Sequence, residues 1–350
     1  MPEPARILIR AANWIGDAVM SLPALRAVRS RYPQAHIAVL ARPWVEDLYR
    51  GESSVNRVIA YTHRPGLHDF AAKWNTTRIL AHEKFDLAIL FQNAFEAALI
   101  AKLSGISKIV GYNRDARGPL LTESIPVPSP GEIPKHERFY YLELLRRAGI
   151  IDEIPKSDEI RLESAPVRAA AGRETLASMG VPLPVVGISP GAAYGSAKRW
   201  LPERFAEAAI HLASEYKASI CLFGSSAERS LCDSVAELIV SRAPKLYVRS
   251  LAGDTSLRSF IECTAACMLF LTNDSGAMHI ASALGVPTVT VFGATDHLAT
   301  GHTGTRGRVI RNDVPCSPCL RRECPIDHRC MTGVPASAVV DAANELLSVH

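Results

Sequence analysis

Residues 267–284 read CMLFLTNDSGAMHIASAL, an apolar run followed by a polar turn and then by a run of small residues. The apolar part, Cys267–Thr272, has the length and composition of a buried strand, and the small-residue part, Ala277–Leu284, is typical of a helix. A strand that turns into a helix leaves backbone N–H groups free at the first helical turn, where a phosphate binds readily. This stretch therefore predicts an α/β unit that binds a phosphate-bearing ligand.

The same alternation of strand and helix continues on both sides of this stretch. In the second half the pattern predicts strands at 185–189, 218–223 and 288–292 and helices at 166–179, 202–216, 227–240 and 336–349. In the first half it predicts strands at 7–10, 36–40, 57–61, 86–91 and 108–110, a helix from about Asp17 and a helix at 136–148, with a Pro- and Ser-rich loop at 123–134. Alternation of this kind indicates parallel sheets covered by helices on both faces.

The length of 350 residues favours two domains over one. We expect a Rossmann-like domain at residues 1–170, a second Rossmann-like domain at 171–335, and a C-terminal helix at 336–350 that packs back on the first domain. The expected fold class is α/β, with two doubly wound domains facing a central cleft. Ligands of open α/β sheets bind at the carboxyl ends of the strands, so the functional residues should lie there.

Composition excludes several classes of protein. The chain is 48% apolar and 21% charged, which is ordinary for a soluble α/β protein, and its apolar runs are too short to cross a membrane. The N-terminus lacks the basic and apolar blocks of a signal peptide, so we expect a cytoplasmic protein. A net charge of +4 suits an acidic ligand or an anionic membrane surface but is too small to indicate nucleic acid.

The eight cysteines fall into two groups. Cys221, Cys232, Cys263 and Cys267 lie in apolar or helical contexts and are expected to be reduced core residues. The other four, Cys316, Cys319, Cys324 and Cys330, have a spacing that could hold zinc or iron through thiolates, or could form a reduced loop. The sequence leaves both interpretations open, and we assign no metal ligand.

Polar residues follow several of the predicted strands. Asp17 comes just after the first strand and is either a first-turn helix acid or a general base. Lys198 ends a Gly-containing loop that begins at Ser189 and offers N–H groups and a cation for a diphosphate. Glu228 follows a strand of the second half and is either a dipole partner or a ribose ligand. Asp274 and Ser275 either cap the next helix or, with His279, contribute to the phosphate site.

Eight cations of the first half lie in predicted loops or at helix starts, and most are expected to be solvated. They are Arg10, Arg42, Arg64, Arg114, Arg117, Lys135, His136 and Arg138. If some of them line a cleft, they would suit an acceptor that carries phosphates or carboxylates.

Four segments together resemble the bacterial lipopolysaccharide heptosyltransferases, glycosyltransferase family 9. They are NWIGD at 13–17, SPGAAYGSAKRW at 189–200, GSSAE at 224–228 and NDSGAMH at 273–279. The resemblance extends from Arg6 to about Leu347. Within the family it is nearest the heptosyltransferase II branch, on Asn13-Trp14, on Ala197–Trp200 and on the cysteine segment.

The resemblance implies an inverting glycosyltransferase of the GT-B type that needs no metal or other cofactor. Its donor would be ADP-L-glycero-D-manno-heptose, and its acceptor the first heptose of the lipid A-linked inner core, reached at the inner membrane face. Asp17 and Lys198 would be catalytic. The donor would be bound by Gly191, Tyr194, Lys198, Glu228, Asp274, Ser275, Gly276 and His279, and the acceptor by Asn13, Asn93, His136 and Arg138.

Two alternatives to this hypothesis remain at the level of the sequence. The first is a heptosyltransferase with another acceptor, which would be lipid A carrying only Kdo, a later core sugar or a protein. The second is a metal-binding scaffold with a degenerate nucleotide fold that uses its cysteine segment. The intact Asp17, Lys198 and Asp274 argue against degeneration, and the absence of G-x-G-x-x-G after the first strand argues against a dinucleotide enzyme.

Overall fold

The computed structural model describes residues 3–62, 67–156 and 159–348. The chain divides into two compact units, Met1–Ser157 and Asp158–His350, and strands alternate with helices in both. This alternation confirms the predicted α/β class. Among the described residues, the helices are each too short or too polar to cross a bilayer.

The first unit contains a six-stranded parallel sheet. Its strands are β1 (Arg6–Arg10), β2 (His36–Ala41), β3 (Arg57–Ala60), β4 (Leu87–Leu90), β5 (Lys108–Tyr112) and β6 (Glu123–Ile125). Its helices are α1 (Ile15–Met20), α2 (Leu22–Arg31), α3 (Glu46–Tyr49), α4 (Leu67–Glu83), α5 (Phe95–Leu103) and α6 (Arg138–Arg147). The strand order β3-β2-β1-β4-β5-β6 reverses between β1 and β4, and this switch point is where doubly wound sheets bind ligands.

The second unit repeats this topology. Its strands are β7 (Val185–Ser189), β8 (Ser219–Leu222), β9 (Val248–Ser250), β10 (Leu269–Asn273), β11 (Thr288–Phe292) and β12 (Gly307–Arg311). Its helices are α7 (Ala165–Ser178), α8 (Pro202–Tyr216), α9 (Arg229–Arg242), α10 (Leu257–Ala265), α11 (Gly276–Ala283), α12 (His297–Thr300), α13 (Arg329–Thr332) and α14 (Ala336–Ser348). The strand order β12-β11-β10-β7-β8-β9 places the switch point between β7 and β10.

Central strands of both sheets are buried along their whole length. All residues of β4, β7, β10 and β11 are buried, which explains their nearly continuous apolar sequences. One core cluster includes Leu8, Leu40 and Leu90 in the first unit, and another includes Ile188 and Leu271 in the second. The strong apolar signal of these strands is the reason that the sequence predicts them.

Three edge strands differ from the prediction. Glu123–Ile125 forms β6 at the edge of the first sheet, within a segment predicted to be a loop at 123–134. β9 and β12, at the two edges of the second sheet, were also not predicted. Neither β9 nor β12 contains a fully buried residue, so the alternation and apolar content that mark a strand are weak there.

Helix α7 belongs to the second unit, although the expected boundary lay after residue 170. It packs along α10, where Arg168 Nη1 lies 3.1 Å from Glu262 Oε1 in a buried ion pair. Gly172 lies against α10 so closely that an added Cβ would come 1.8 Å from the carbonyl oxygen of Glu262. This helix–helix contact moves the boundary towards the N-terminus.

Helix α14 packs within the second unit, contrary to the expectation that residues 336–350 pack back on the first domain. Its contacts are with α8, β11 and β12. The apolar face that includes Val339, Val340, Ala343 and Leu346 joins the core cluster of this unit. The sequence shows an amphipathic helix but does not show which sheet its apolar face covers.

We expect Gly172→Ala to destabilise the protein by about 1–3 kcal/mol or more, because the new methyl group has to displace the α10 backbone. Urea unfolding would measure the loss. Glu174→Ala, an exposed change on the same helix, should stay within about 0.5 kcal/mol of the wild type. Equal stabilities of the Gly172 and Glu174 variants would contradict the close α7–α10 contact.

His302 makes stability depend on pH. Its Nε2 lies 2.9 Å from Thr290 Oγ1, and burial, with a contribution from His279, lowers its pKa from 6.5 to about 4. Between these two values the unfolded chain binds a proton that the folded protein excludes. Stability is therefore lost as the pH falls from about 6.5 towards 4, by about 2–3 kcal/mol in all.

We expect His302→Gln to reduce this acid-dependent loss, measured as the difference in unfolding free energy between pH 7 and pH 4.5. His211→Gln removes an exposed histidine and should leave the pH dependence unchanged. An identical pH dependence in the wild type and His302→Gln would contradict the assignment.

Candidate functional site

Lys198 and Asp274 form an ion pair at the switch point of the second sheet. Lys198 follows β7 and Asp274 follows β10, the two strands on either side of that point. Lys198 Nζ lies 2.6 Å from Asp274 Oδ2, and the Thr295 hydroxyl donates to the same oxygen. The Asp274 side chain is 3% exposed, so Lys198 neutralises a buried carboxylate that would otherwise repel a phosphate.

Asn273 anchors both ends of the loop that carries Lys198. Its Nδ2 donates to the carbonyl of Pro190 at 2.7 Å, and its Oδ1 accepts from the backbone N–H of Trp200 at 2.9 Å. Trp200 itself is buried, and its Nε1 donates to the carbonyl of Val334, which confirms its predicted packing role. Asn273 belongs to the NDSG segment, but its position in the sequence does not indicate these two hydrogen bonds.

Helix α11 begins beside this ion pair. Ser275 is its N-cap residue, without a side-chain hydrogen bond to the helix backbone, and the Ser275 hydroxyl lies 3.4 Å from that of Thr272. The Asp274 carboxylate is bound to Lys198, and the Ser275 side chain bonds no N–H group of the helix. The interpretation of both side chains as helix caps is therefore wrong. Gly276 is the first helical residue and His279 is buried in the helix. The N–H groups of this helix start can donate hydrogen bonds to an anion.

Glu228 lies against the loop after β7. One carboxylate oxygen accepts hydrogen bonds from the backbone N–H (2.9 Å) and the hydroxyl (2.8 Å) of Ser225, in a capping box. The other approaches Gly191 so closely that an added Cβ would lie 2.0 Å from it. The structure thus brings Glu228 and Gly191 together, while the capping box gives Glu228 a role at the helix start as well.

Tyr194 connects the same loop to the cysteine segment. Its hydroxyl donates to the carbonyl of Leu320 at 2.7 Å, and its ring lies 4.9 Å from Lys198 Nζ and 5.4 Å from the Arg322 guanidinium. The backbone N–H of Ala197 also donates to the carbonyl of Arg322. Nothing in the sequence pattern indicates that residues 320–322 border the Lys198 loop.

All eight cysteines are free thiols. Cys221, Cys232, Cys263 and Cys267 are buried, as predicted, and burial raises the pKa of each of the four thiols. In the C-terminal group Cys316 and Cys319 are exposed, Cys324 is half-buried and Cys330 is buried. Within the described ranges, no three His, Cys, Asp or Glu side chains are placed to share a metal ion.

Asp17 lies in the first turn of α1, beside the carboxyl end of β1. The buried hydroxyl of Tyr141, from α6, donates to Asp17 Oδ1 at 3.4 Å. Glu137 lies one helical turn before Tyr141, and burial together with the charge of Asp17 raises its pKa. Asp17 therefore sits in an acidic, partly buried environment in the first unit.

The candidate acceptor residues occupy three positions in the first unit. Asn93 bonds Arg117 and Tyr140, at 2.8 and 3.0 Å. His136 and Arg138 lie at the start of α6, where His136 Nδ1 accepts the backbone N–H of Arg138. Asn13 accepts a hydrogen bond from Arg10 at 3.0 Å.

The expectation that most cations of this unit are solvated is wrong for half of the set. Arg10, Arg42, Arg117 and Arg138 are all buried, at 3%, 8%, 0% and 9% exposure. Arg64 lies outside the described residues. The guanidiniums are buried because they bond carbonyls or stack on aromatic rings, a pairing that sequence position alone does not indicate.

Comparison with known proteins gives a family for this arrangement. Residues 74–329 match glycosyltransferase family 9 (heptosyltransferase). Lipopolysaccharide heptosyltransferase 2 of Salmonella typhimurium is 29% identical over 313 residues, covering 87% of this chain and 88% of the relative. Lipooligosaccharide heptosyltransferase 2 of Campylobacter jejuni is 25% identical over 347 residues, 98% of each chain.

A solved structure agrees with these relatives. The ADP-heptose LPS heptosyltransferase II of Escherichia coli superimposes with a TM-score of 0.81 at 26% identity, covering 98% of both chains. The fold is therefore of the GT-B type, with two Rossmann-like units. The chain belongs to glycosyltransferase family 9, the heptosyltransferases, and is a glycosyltransferase.

Proposed function

We propose that this enzyme transfers L-glycero-D-manno-heptose from ADP-heptose to the first heptose of the lipopolysaccharide inner core. The observation that carries the proposal is the Lys198–Asp274 pair beside the start of α11. A cation, free helix N–H groups and a nearby carboxylate are what a nucleoside diphosphate sugar requires. The names of the relatives support heptose as the sugar and lipopolysaccharide as the acceptor.

In this proposal the donor is bound by residues of the second unit. Lys198 and the start of α11, with Ser275 and Gly276, bind the diphosphate. The Tyr194 ring lies next to the Lys198 ammonium group. Glu228 accepts hydrogen bonds from the ribose hydroxyls next to Gly191, where only a glycine leaves room. Asp274 orients Lys198, and His279 contributes from within α11. Lys198 supplies the positive charge at the diphosphate of the donor, and the proposed reaction uses no metal ion or other cofactor.

Asp17 is the proposed general base. The acceptor hydroxyl oxygen attacks the anomeric carbon of heptose, its proton passes to Asp17, and the bond from that carbon to the diphosphate oxygen breaks. ADP leaves with the electron pair of that bond, and Lys198 stabilises the developing charge. A single displacement of this kind inverts the anomeric configuration.

The acceptor and its location are also part of the proposal. Asn13, Asn93, His136 and Arg138 are the proposed acceptor contacts, through hydroxyl and anionic groups. Because a lipid A-linked acceptor is held in a bilayer, we propose that the enzyme works in the cytoplasm as a peripheral protein on the inner membrane. The net charge of +4 favours an anionic surface.

A transfer assay with purified protein tests the proposal. ADP-heptose is combined with lipid A that carries two residues of 3-deoxy-D-manno-octulosonic acid (Kdo), either with or without the first heptose. We expect product only from the heptose-bearing acceptor. Product from the heptose-free acceptor would identify another heptosyltransferase specificity, and ADP-heptose binding without transfer to either would refute this acceptor class.

A further inference from the structure

Two buried arginines lie side by side at the carboxyl edge of the first sheet. Arg10 ends β1 and Arg42 follows β2, and these strands are hydrogen-bonded neighbours. Both guanidiniums pack on the ring of Tyr61, which follows β3, at 5.1 and 4.2 Å from its centre. They are 3% and 8% exposed, so neither is an ordinary surface cation.

Among the described residues, the ion-paired groups around these two arginines leave an excess of one positive charge. Glu96 lies 3.5 Å from Arg42, but it also binds Lys73 Nζ at 2.6 Å and accepts the Tyr61 hydroxyl. Lys73 pairs in addition with Asp69. Arg42 and Lys73 thus share the two carboxylates of Glu96 and Asp69, while Arg10 donates to neutral oxygens. Burial and the charge of Arg42 lower the pKa of Arg10 to about 10.

Three guanidinium nitrogens of the pair have no acceptor among the described residues. They are Nε of Arg10 and Nε and Nη1 of Arg42, all buried. The Arg42 guanidinium lies over the rings of Tyr61 and Trp44, 4.2 and 5.7 Å from their centres. Each unpartnered guanidinium nitrogen can donate a hydrogen bond to one oxygen of a carboxylate or a phosphate.

The surroundings connect this pair of arginines with the loop between β1 and α1, which precedes Asp17. The Trp44 indole N–H donates to the carbonyl of Asn13 at 2.8 Å, and Arg10 bonds the side chain of Asn13 at 3.0 Å. Trp44 and Trp14 are more than half exposed, so this corner of the unit reaches the surface. Asp17 lies three residues beyond Trp14. An anion held here would belong to the molecule whose hydroxyl faces Asp17.

We propose that Arg10 and Arg42 bind a carboxylate or phosphate of the acceptor and so fix it relative to Asp17. This inference rests on the proposed function and extends its acceptor site to two residues that the motifs do not include. The chemical class of the ligand is an anionic sugar, either a sugar acid or a phosphorylated glycolipid.

Arg42→Met tests the proposal, because it keeps the apolar stem on Tyr61 and removes the charge. We expect an acceptor KM raised about 10- to 100-fold, with an ADP-heptose KM within twofold of the wild type. The melting temperature should be unchanged or raised, because the substitution removes the two unpartnered buried nitrogens of Arg42. Arg50→Met, an exposed arginine of the same unit, is the matched control and should change neither KM. Arg42→Lys should recover part of the acceptor affinity.

Acceptors that lack one anionic group identify the bound anion. With the wild type, the acceptor KM should be raised either by reducing the Kdo carboxyl groups or by removing the lipid A phosphates. For the acceptor whose KM is raised, Arg42→Met should raise the KM no further. An acceptor KM equal in Arg42→Met and Arg50→Met would overturn the proposal. A lowered melting temperature with an unchanged acceptor KM would do the same, since it would show a structural role.

Free Kdo and inorganic phosphate separate this proposal from the proposed function. If heptose is not transferred, but either probe raises the melting temperature of the wild type and not of Arg42→Met, the anion site stands and the acceptor assignment fails. If neither probe discriminates between the wild type and Arg42→Met, and the KM values agree as well, the site is refuted.

Discussion

Asn in place of Asp17 is expected to lower kcat for heptose transfer by about 10²- to 10⁴-fold, the usual effect of removing a general base. The amide has the shape of the carboxylate and still accepts the Tyr141 hydroxyl, but it cannot take the proton of the acceptor hydroxyl. Initial rates at saturating ADP-heptose and acceptor would measure the loss. The affinity for ADP should persist, because the proposed donor contacts belong to the second unit.

Tyr141→Phe is the matched control for this variant. It removes the hydrogen bond to Asp17 and leaves the carboxylate in place, so we expect a loss of about tenfold or less. A rate for Asp17→Asn within threefold of the wild type would remove Asp17 from the mechanism. A loss of the same size in both variants would mean that the position of Asp17 matters and its basicity does not.

Ala in place of Lys198 is expected to lower kcat/KM for ADP-heptose by about 10²- to 10³-fold, since the charge that stabilises the departing diphosphate is lost. Isothermal titration should show a large loss of affinity for ADP and a small one for adenosine. Lys245→Ala removes an exposed lysine of the same unit and should change neither affinity. Equal losses for ADP and adenosine would contradict contact with the diphosphate.

The same variant leaves Asp274 as a buried carboxylate without its cation. We therefore expect Lys198→Ala to lower the free energy of unfolding by about 3 kcal/mol. The double variant with Asp274→Asn should regain most of this stability and none of the activity. Recovery of activity in the double variant would show that the two residues act only through folding.

The sequence predicted the parts of this molecule that depend on local pattern. Strands β1, β7, β10 and β11 are rich in apolar residues, and the turns after β7 and β10 carry the Lys198 and Asp274 motifs. Because parallel strands end on one edge of a sheet, their proximity could be inferred from order alone. The ion pair between Lys198 Nζ and Asp274 Oδ2, at 2.6 Å, goes beyond that inference.

The features that the sequence did not predict depend on distant partners. Asn273 clamps the loop after β7 by bonding both of its ends, Pro190 and Trp200, which are 83 and 73 residues away in sequence. Arg322 reaches that loop from beyond β12. The burial of Arg42 requires the rings of Tyr61 and Trp44 to lie next to its guanidinium. A polar residue in a predicted loop has the same local pattern whether or not such partners exist.

The clamp made by Asn273 has a consequence for how this protein can vary. Asn273 pairs across the sheet with Val291, while its side chain bonds the loop after β7, so its position is fixed by strand register. A slip of one residue in β10 would turn Asn273 to the opposite face of the sheet and dismantle the site at once. Insertions near the amino ends of the strands leave that register intact. Lineages should therefore accumulate length changes at that opposite edge, which makes it the place to graft tags or reporter domains.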